Sequence, residues 1–246
     1  MLEGPDGVLA GLRPGGAWID TSTSDQELTA RLAAFAAERG VGVLEAPVTG
    51  GVHLAASGEI TVIAAGDRDV FDRHRELLAA MGRRVFYVGE LGNATTLKVI
   101  TNMLAFVHLL AAGEALLLAR TSGLDLAQTF EVVSASSGSS FVFETEGQLV
   151  LSGSYDVGFT IDLALKDLGF ARALGERLGV PLELEVLVEE TFRRARDAYG
   201  GDAWSTQAVK LLEDRVGLDL RAPGFPSRLA AAGRRDSVAE PPSDDD

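Results

Sequence analysis

Short apolar runs alternate with helix-periodic segments over the first 90 residues. The apolar runs lie at residues 17–20, 41–46, 60–65 and 84–88, and helical spacing recurs at residues 26–39 and 67–81. The polar segment Thr21–Asp25 supplies N-cap side chains for the first helix, and Gly40 closes it. Strands that alternate with helices indicate an α/β sheet with parallel pairing.

From Gly92 onward the pattern is almost purely helical. Helical spacing recurs at residues 94–120, 126–134, 159–178, 182–198 and 204–215. A strand-rich part followed by a helical part predicts two domains, at residues 1–91 and 92–220. Residues 221–246 are rich in Pro, Ala, Ser and terminal Asp, so they are expected to form a disordered acidic tail.

The segment Val99–Ala119 is apolar enough to raise the alternative of a membrane span. Asn102, His108 and Glu114 interrupt it, and no basic flank would orient it in a bilayer. We therefore expect a buried interdomain or dimer-core helix.

Charge and cysteine content exclude several classes of protein. The chain has 22 Lys and Arg against 36 Asp and Glu, and its net charge of −14 makes broad binding to nucleic acid or anionic lipid unfavourable. With no cysteine it has no disulfide, thiolate nucleophile or zinc–thiolate site. Nothing in Met1–Gly16 resembles a secretory signal, so a cytoplasmic protein is expected.

Lys98 is the only formal charge between Glu90 and Glu114. Thr95 precedes it and Asn102 follows it by about one helical turn, so the three polar side chains are expected to share one helix face. A buried ammonium needs a partner or a lowered pKa, which points to a chemical role. The alternative is a lysine whose stem is buried and whose charge reaches water.

The segment Glu45–Gly51 follows a predicted strand, and Pro47 prevents that strand from continuing inside a sheet. Thr49, Gly50 and Gly51 together are able to turn backbone N–H groups towards one point and bind a carboxylate or phosphate. The alternative is a simple glycine turn.

Two further segments carry polar groups with open interpretations. Asp20–Thr23 puts hydroxyls at the carboxyl end of a predicted strand, where α/β sheets bind ligands, although helix capping explains them as well. Lys166 and Asp167 are candidates too, but Asp162 lies one turn before Lys166 and permits a surface ion pair.

The histidines and two phenylalanines give only weak indications of a site. His53, His74 and His108 lack ligand spacing, so we assign no metal site. Phe141 and Phe143 follow a serine-rich loop and are interpreted as core residues, with a pocket wall as the alternative.

The order of these motifs resembles that of the β-hydroxyacid dehydrogenases, the family that contains 3-hydroxyisobutyrate dehydrogenase. Asp20–Thr23 matches the family's Asp-x-Ser-Thr, and Glu45–Gly51 matches Asp-x-Pro-Val-Ser-Gly-Gly with Glu for Asp and Thr for Ser. Lys98 and Asn102 match Lys-x-x-x-Asn, and Lys166–Asp167 matches the Lys-Asp pair. The resemblance runs from about residue 4 to residue 217.

This resemblance implies a fold, a reaction and a cofactor. The fold is the C-terminal part of a Rossmann-like parallel sheet followed by an all-α domain of the 6-phosphogluconate dehydrogenase C-terminal type. The reaction is hydride transfer between a nicotinamide cofactor, NAD or NADP, and a short 3-hydroxy acid. Relatives form dimers through the long helix, so a homodimer or higher homo-oligomer is expected, with no nucleic-acid or membrane partner.

The resemblance also implies a role for each matched residue. Lys98 is the general acid/base, and Asn102 orients Lys98 or holds the substrate. The remaining assignments are Thr49, Gly50 and Gly51 for the substrate carboxylate and Thr23 and Lys166 for the cofactor.

One departure from the family pattern changes the expectation about activity. Family members open with a strand and a G-x-G-x-x-G turn, and no such turn occurs in these 246 residues. Because that unit holds the cofactor's pyrophosphate, weak cofactor binding and impaired activity are expected. Met1 then is an internal methionine taken as the start, or the chain is a fragment. The alternative function is a non-catalytic remnant that serves as an oligomerisation or small-acid-binding module.

Overall fold

A computed structural model describes residue 4 and residues 6–230 of the chain. The strands are β1 (Ala17–Asp20), β2 (Gly42–Glu45), β3 (Val48–Thr49), β4 (Ile60–Gly66) and β5 (Gly82–Tyr87). The helices are α1 (Val8–Gly11), α2 (Gln26–Ala37), α3 (Val52–Ala56), α4 (Arg68–Met81), α5 (Asn93–Thr121), α6 (Leu126–Ser134), α7 (Phe141–Ser152), α8 (Ile161–Leu178), α9 (Glu183–Tyr199) and α10 (Gln207–Val216). Strands therefore precede Gly92 and a helical bundle follows it, as the sequence predicts.

The sheet contains the expected parallel pairing, and it also contains antiparallel pairs that the sequence did not predict. Its order is β1-β2-β4-β3, and β5 also pairs with β4. The pairs β1–β2 and β4–β5 are parallel, whereas β2 and β3 both run antiparallel to β4. Parallel neighbours need a crossover of a dozen or more residues, and the short α3 between β3 and β4 does not provide one. The longer α4 does provide it between β4 and β5.

Helices cover both faces of the sheet. Val43 and Leu44 are adjacent in β2 but belong to different apolar clusters, because successive strand residues point to opposite faces. Leu44 packs with Val70 and Leu78 of α4, while Val43 belongs to the cluster that contains Leu32 of α2. The first part of the chain is thus a three-layer α/β unit.

The long helix α5 joins the sheet to the bundle and is anchored to β2 at its first turn. The carboxylate of the buried Glu45 accepts hydrogen bonds from the Gly92 amide at 2.9 Å and from Thr95 Oγ1 at 2.8 Å. Gly92, the N-cap, has φ 97°, a left-handed conformation that favours glycine. Lys98, one turn further on, is therefore held in a defined position relative to the sheet.

Helix α5 is also the centre of the helical part. Its most apolar stretch has a mean hydropathy of 1.7, so among the described helices α5 is long and apolar enough to cross a membrane by length and composition. Helices α6 to α10 all pack against it, and 44% of that stretch is buried. We therefore describe it as the core helix that the sequence predicts.

The predicted tail starts on packed residues. Arg221 donates to Glu213 Oε1 at 3.0 Å and to Tyr155 Oη at 2.8 Å, and the ring of Phe225 lies 5.0 Å from that of Phe130. Residues 221–230 therefore lie against the bundle. The packed part of the chain continues past residue 221, where the sequence predicts the start of a disordered tail. The rest of the predicted acidic tail, residues 231–246, lies outside the described residues.

Candidate active site

Lys98 is buried and paired within its own helix. It is 9% exposed, and its Nζ donates a hydrogen bond to Asn102 Oδ1 at 2.8 Å. Burial lowers the pKa of Lys98 to about 8, against the opposing effect of the negative charge on Asp167. The charge of Lys98 is therefore held inside the protein and does not extend to the surface, as the alternative interpretation required.

A chain of polar contacts connects Lys98 to the other sequence motifs. Asn102 Nδ2 donates to Asp167 Oδ2 at 2.6 Å, and Lys166 Nζ lies 3.2 Å from Asp167 Oδ1. Lys166 Nζ also donates to the carbonyl oxygen of Thr23 at 3.2 Å. Residues from α5, α8 and the loop after β1 therefore meet in one network.

The surface ion pair considered for Lys166 does not form. Asp162 instead accepts a hydrogen bond from Arg196 Nε at 2.6 Å, and Lys166 faces the buried Asp167. Asp167 is 2% exposed, so its carboxylate depends on Asn102 and Lys166 for compensation.

A cavity of about 660 Å³ lies between the α/β part and the bundle, next to this network. Lys98 and Asn102 line it together with Thr49, Gly50 and Gly51, whereas Lys166 and Thr23 do not. Gly50 has φ 128°, and a Cβ there would lie 2.8 Å from Leu54 Cδ1. The positive φ favours glycine at this position, and a Cβ would also displace the end of the Leu54 side chain.

The predicted polar face of α5 is only partly present. Lys98 and Asn102 point into the same site, but Thr95 points back to Glu45 in β2. Thr95 is therefore an anchor of the helix and not a member of the site. Glu45, which the family pattern places in the substrate segment, has the same anchoring role.

Strands β3, β4 and β5 contribute a row of polar side chains to the cavity wall. Thr49 pairs with Thr61, and Thr61 pairs with Arg84, in the registers of the two ladders. All three residues line the cavity. Arg84 therefore adds a positive charge to the cavity that the glycine turn also lines.

Sequence reasoning missed several residues of this site. Asp167 was a candidate beside Lys166, but no role was assigned to it. Glu146, His53 and Arg84 also line the cavity. Glu146 was missed because α7 was not predicted. Ser140, which caps that helix, was the signal for it.

Of the two phenylalanines considered, one lines the cavity and one does not. Phe141 is exposed in the cavity wall and stacks on His53, with the ring centroids 6.3 Å apart. Phe143 is buried and packs against Phe130 in the bundle core.

Thr23 and Lys166 lie at an edge of the sheet that is suited to a ligand such as the family's dinucleotide. Thr23 follows β1 at the carboxyl end of a parallel pair, the edge at which open α/β sheets bind ligands. Thr23 and Lys166 are in contact there, within the network that reaches Lys98. For the pyrophosphate, the sequence contains no G-x-G-x-x-G turn.

Two known family models match the chain. Residues 92–212 match the family described as the NAD-binding domain of NADP-dependent 3-hydroxyisobutyrate dehydrogenase. Residues 1–89 match the NAD binding domain of 6-phosphogluconate dehydrogenase.

Several named relatives match most of the chain. An L-threonate dehydrogenase of Escherichia coli is 35% identical over 216 residues, which are 86% of this chain and 70% of that protein. The 2-(hydroxymethyl)glutarate dehydrogenase of Eubacterium barkeri is 29% identical over 221 residues, 89% of this chain and 73% of that protein. The human cytokine-like nuclear factor N-PAC is 33% identical over 196 residues, but the match spans only 35% of its length.

Solved structures show the same fold. The 3-hydroxyisobutyrate dehydrogenase of Salmonella typhimurium superposes with a TM-score of 0.78 at 33% identity, covering 84% of this chain and 73% of that one. Psf3 in complex with NADP⁺ and 2-OPP superposes with a TM-score of 0.79 at 29% identity, covering 85% and 74%. The chain belongs to the β-hydroxyacid dehydrogenase family, and the resemblance and the fold class predicted from its motifs are confirmed.

Proposed function

We propose that this chain carries the substrate half of a dehydrogenase that transfers hydride between NAD or NADP and a short 3-hydroxy acid. The observation that supports this is the continuous network from Lys98 through Asn102, Asp167 and Lys166 to Thr23, beside a cavity of about 660 Å³. We divide the chain into an α/β domain at residues 1–91 and a helical domain that begins at residue 92 and includes the packed residues after 220, and we propose a cytoplasmic location.

Lys98 is the general base in the oxidation direction. Its pKa of about 8 leaves part of the population neutral near physiological pH, and a neutral Nζ is able to take the hydroxyl proton of the substrate. The bound cofactor supplies the acceptor for the hydride that leaves the same carbon. Loss of that proton and hydride turns the C–OH group into a carbonyl, so Lys98 returns the proton in the reverse direction.

The other residues position the reacting groups. Asn102 holds Lys98 Nζ through its amide oxygen while its amide nitrogen is bound by Asp167. Thr49, Gly50 and Gly51 bind the substrate carboxylate. Both ends of the short acid are then oriented, which is how positioning contributes to rate.

The test is a spectrophotometric assay of reduced cofactor with a panel of short 3-hydroxy acids. We expect slow oxidation of at least one of them that increases as the cofactor concentration is raised. No oxidation of any substrate at saturating cofactor would contradict the proposal.

A second candidate is a small-acid-binding or oligomerisation module without turnover. The cavity itself supports it, because Thr49, Gly50, Gly51 and Arg84 line it and suit a carboxylate whether or not hydride is transferred. It predicts that the hydroxy acids bind, as measured by calorimetry, while no reduced cofactor is formed.

We also propose that the protein forms a homodimer or higher homo-oligomer through α5. Exposed apolar residues form a stripe along this helix at spacings of three, four or seven residues: Leu97, Ile100, Leu104, Ala111, Ala115 and Leu118. Such a seam is suited to another copy of the same helix. The change Leu118→Glu, at a residue 71% exposed, should shift the molar mass in light scattering towards the monomer. Leu124→Glu, at an exposed residue outside the stripe, should not, and equal masses for both variants would contradict the proposal.

A further inference from the structure

Helix α7 contributes an acidic side chain to the cavity that the proposed reaction does not use. Phe141, Val142, Thr145 and Glu146 form the part of the wall that belongs to this helix. Glu146 is half-buried there, and no described residue is seen to form a hydrogen bond or ion pair with it. Burial raises the pKa of Glu146 to about 7.

Glu146 differs from Glu144 and Glu45 because no described residue forms a hydrogen bond with its carboxyl group. Glu144, two residues earlier in α7, is exposed and accepts a hydrogen bond from Ser139 Oγ at 2.7 Å. Glu45 is buried, but it is bound by the first turn of α5. A carboxyl group that is partly desolvated in a cavity wall, with no partner among the described residues, is available to pair with a ligand.

The sheet forms another wall of the cavity, and its charge is opposite to that of the α7 wall. Thr49, Thr61 and Arg84 lie in a row across three strands, and Arg84 has no ion pair with a described residue. This wall suits an anionic group, whereas the α7 wall suits a hydrogen-bond donor or a cation. The other titratable groups that line the cavity are Lys98, His53, His108, Glu59 and Arg83.

We propose that Glu146 is a specificity-determining residue, which accepts a hydrogen bond from a hydroxyl or ammonium group at the end of the substrate away from its carboxylate. This inference rests on the proposed function, because it takes the ligand to be a 3-hydroxy acid. The preferred substrates are then 3-hydroxy acids with a donor on the fourth carbon. A second carboxylate at that end is rejected by the like charge of Glu146.

The experiment compares four ligands that share one 3-hydroxy acid unit and differ at the far end. They are 3-hydroxybutyrate, 3,4-dihydroxybutyrate, 4-amino-3-hydroxybutyrate and 3-hydroxyglutarate, which present a methyl, hydroxyl, ammonium and carboxylate group. Their dissociation constants are measured by calorimetry on the full chain at a pH above 7, where Glu146 is mostly charged. The same measurements are made on Glu146→Gln and on the control Glu144→Gln.

For the unmodified chain we expect the ammonium ligand to bind most tightly, followed by the hydroxyl and methyl ligands, and the dicarboxylate to bind most weakly. Glu146→Gln should raise the dissociation constant of the ammonium ligand by about tenfold or more, the scale of a hydrogen bond to a charged group. It should leave the dissociation constant of the methyl ligand within about twofold and lower that of the dicarboxylate. Glu144→Gln should change none of the four.

The outcomes distinguish failure of this inference from failure of the proposed function. Binding of the ligands without any change of preference in Glu146→Gln overturns the role of Glu146 and leaves the hydroxy-acid site intact. Failure of all four ligands to bind the unmodified chain overturns both. An equal effect of Glu144→Gln would also overturn the inference, since it would show a general charge effect of α7.

Discussion

At the scale of single residues, the chemistry depends on how burial changes ionisation. Lys98 and Glu146 line one cavity, and burial moves the pKa of each towards neutrality from opposite sides, to about 8 and about 7. Each group is able to change its protonation near physiological pH, which is what acid–base and recognition roles need. Surface side chains such as Lys210, which pairs with Asp214 in α10, have no comparable environment.

Replacing Lys98 with methionine should abolish the proton transfer and leave the fold intact. We expect kcat to fall by about a hundredfold or more, the scale of general acid–base catalysis. Thermal midpoints should change little, because removing a buried ammonium also removes its desolvation cost. In the unmodified protein, kcat for oxidation should rise as the pH passes about 8, since the neutral amine is the base.

The control for this change is Lys210→Met, which removes a lysine from an i,i+4 surface pair. Its kcat should stay within about twofold of the unmodified protein, because surface pairs contribute little. Near-normal turnover in Lys98→Met would contradict the assignment of Lys98 as the base.

A second residue-scale prediction concerns Glu185 in α9. Its side chain is 1% exposed, neither carboxyl oxygen has a hydrogen-bond partner, and burial together with the charge of Glu189 raises its pKa to about 7. The folded state therefore holds this proton more tightly than the unfolded state. Its stability contribution is present below the unfolded pKa and is lost as the pH rises through about 7.

Glu185→Gln should remove that loss. As the pH rises from about 4.5 to about 7, the free energy of unfolding of the variant should increasingly exceed that of the unmodified protein. The gain should reach roughly 1–3 kcal/mol above pH 7, because each pH unit between the unfolded and folded pKa of Glu185 corresponds to about 1.4 kcal/mol. Urea midpoints at several pH values measure it, and the exposed Glu190→Gln is the control. A parallel pH dependence of Glu185→Gln and the unmodified protein would count against this account.

At the scale of elements, α5 connects the two parts of the chain and forms the centre of the bundle. Gly113 allows α10 to approach it closely, because a Cβ at this position would lie 2.8 Å from Val209 Cγ1. Gly169 in α8 differs, since a Cβ there would meet nothing within 4 Å. The two helical glycines therefore have different reasons to be glycine.

Gly113→Ala should destabilise the protein by roughly 1–3 kcal/mol, the cost of overpacking a core. Gly169→Ala should stabilise it by about 0.5–1 kcal/mol, because alanine is the better residue inside a helix. Denaturant unfolding measures both. Adding Val209→Ala to Gly113→Ala should recover part of the loss, and if it did not, the close contact of α5 and α10 would not be the cause.

At the scale of the whole molecule, the cofactor determines how much of the chemistry this chain performs alone. We propose Thr23 and Lys166 for the nicotinamide end, and these 246 residues contain no G-x-G-x-x-G turn for the pyrophosphate. We expect calorimetric titration of the 246-residue chain with NADH and with NADPH to show weak binding. Micromolar affinity for either one would contradict the view that the glycine turn supplies most of the binding energy.

Local signals in the sequence were enough for the type and order of most elements. The predicted strand 17–20 and helix 126–134 coincide with β1 and α6, because apolar periodicity and capping residues act over a few neighbouring positions. The same local reasoning omitted α7 and the short α1, β3 and α3. The four motifs, in their order along the chain, also carried the resemblance to the family that the comparisons confirm.

By itself, then, the sequence determined the α/β part followed by a helical part, the burial-prone Lys98 and the family. The tertiary structure decided what depends on contacts between distant residues. It turned Thr95 to Glu45, 50 positions away, and it placed Asp167 against Asn102, 65 positions away. It also paired β4 antiparallel to β2 and β3, and brought Glu146 to the cavity. Such contacts depend on how the elements pack, and no periodicity within one segment encodes the partner that another segment brings to it.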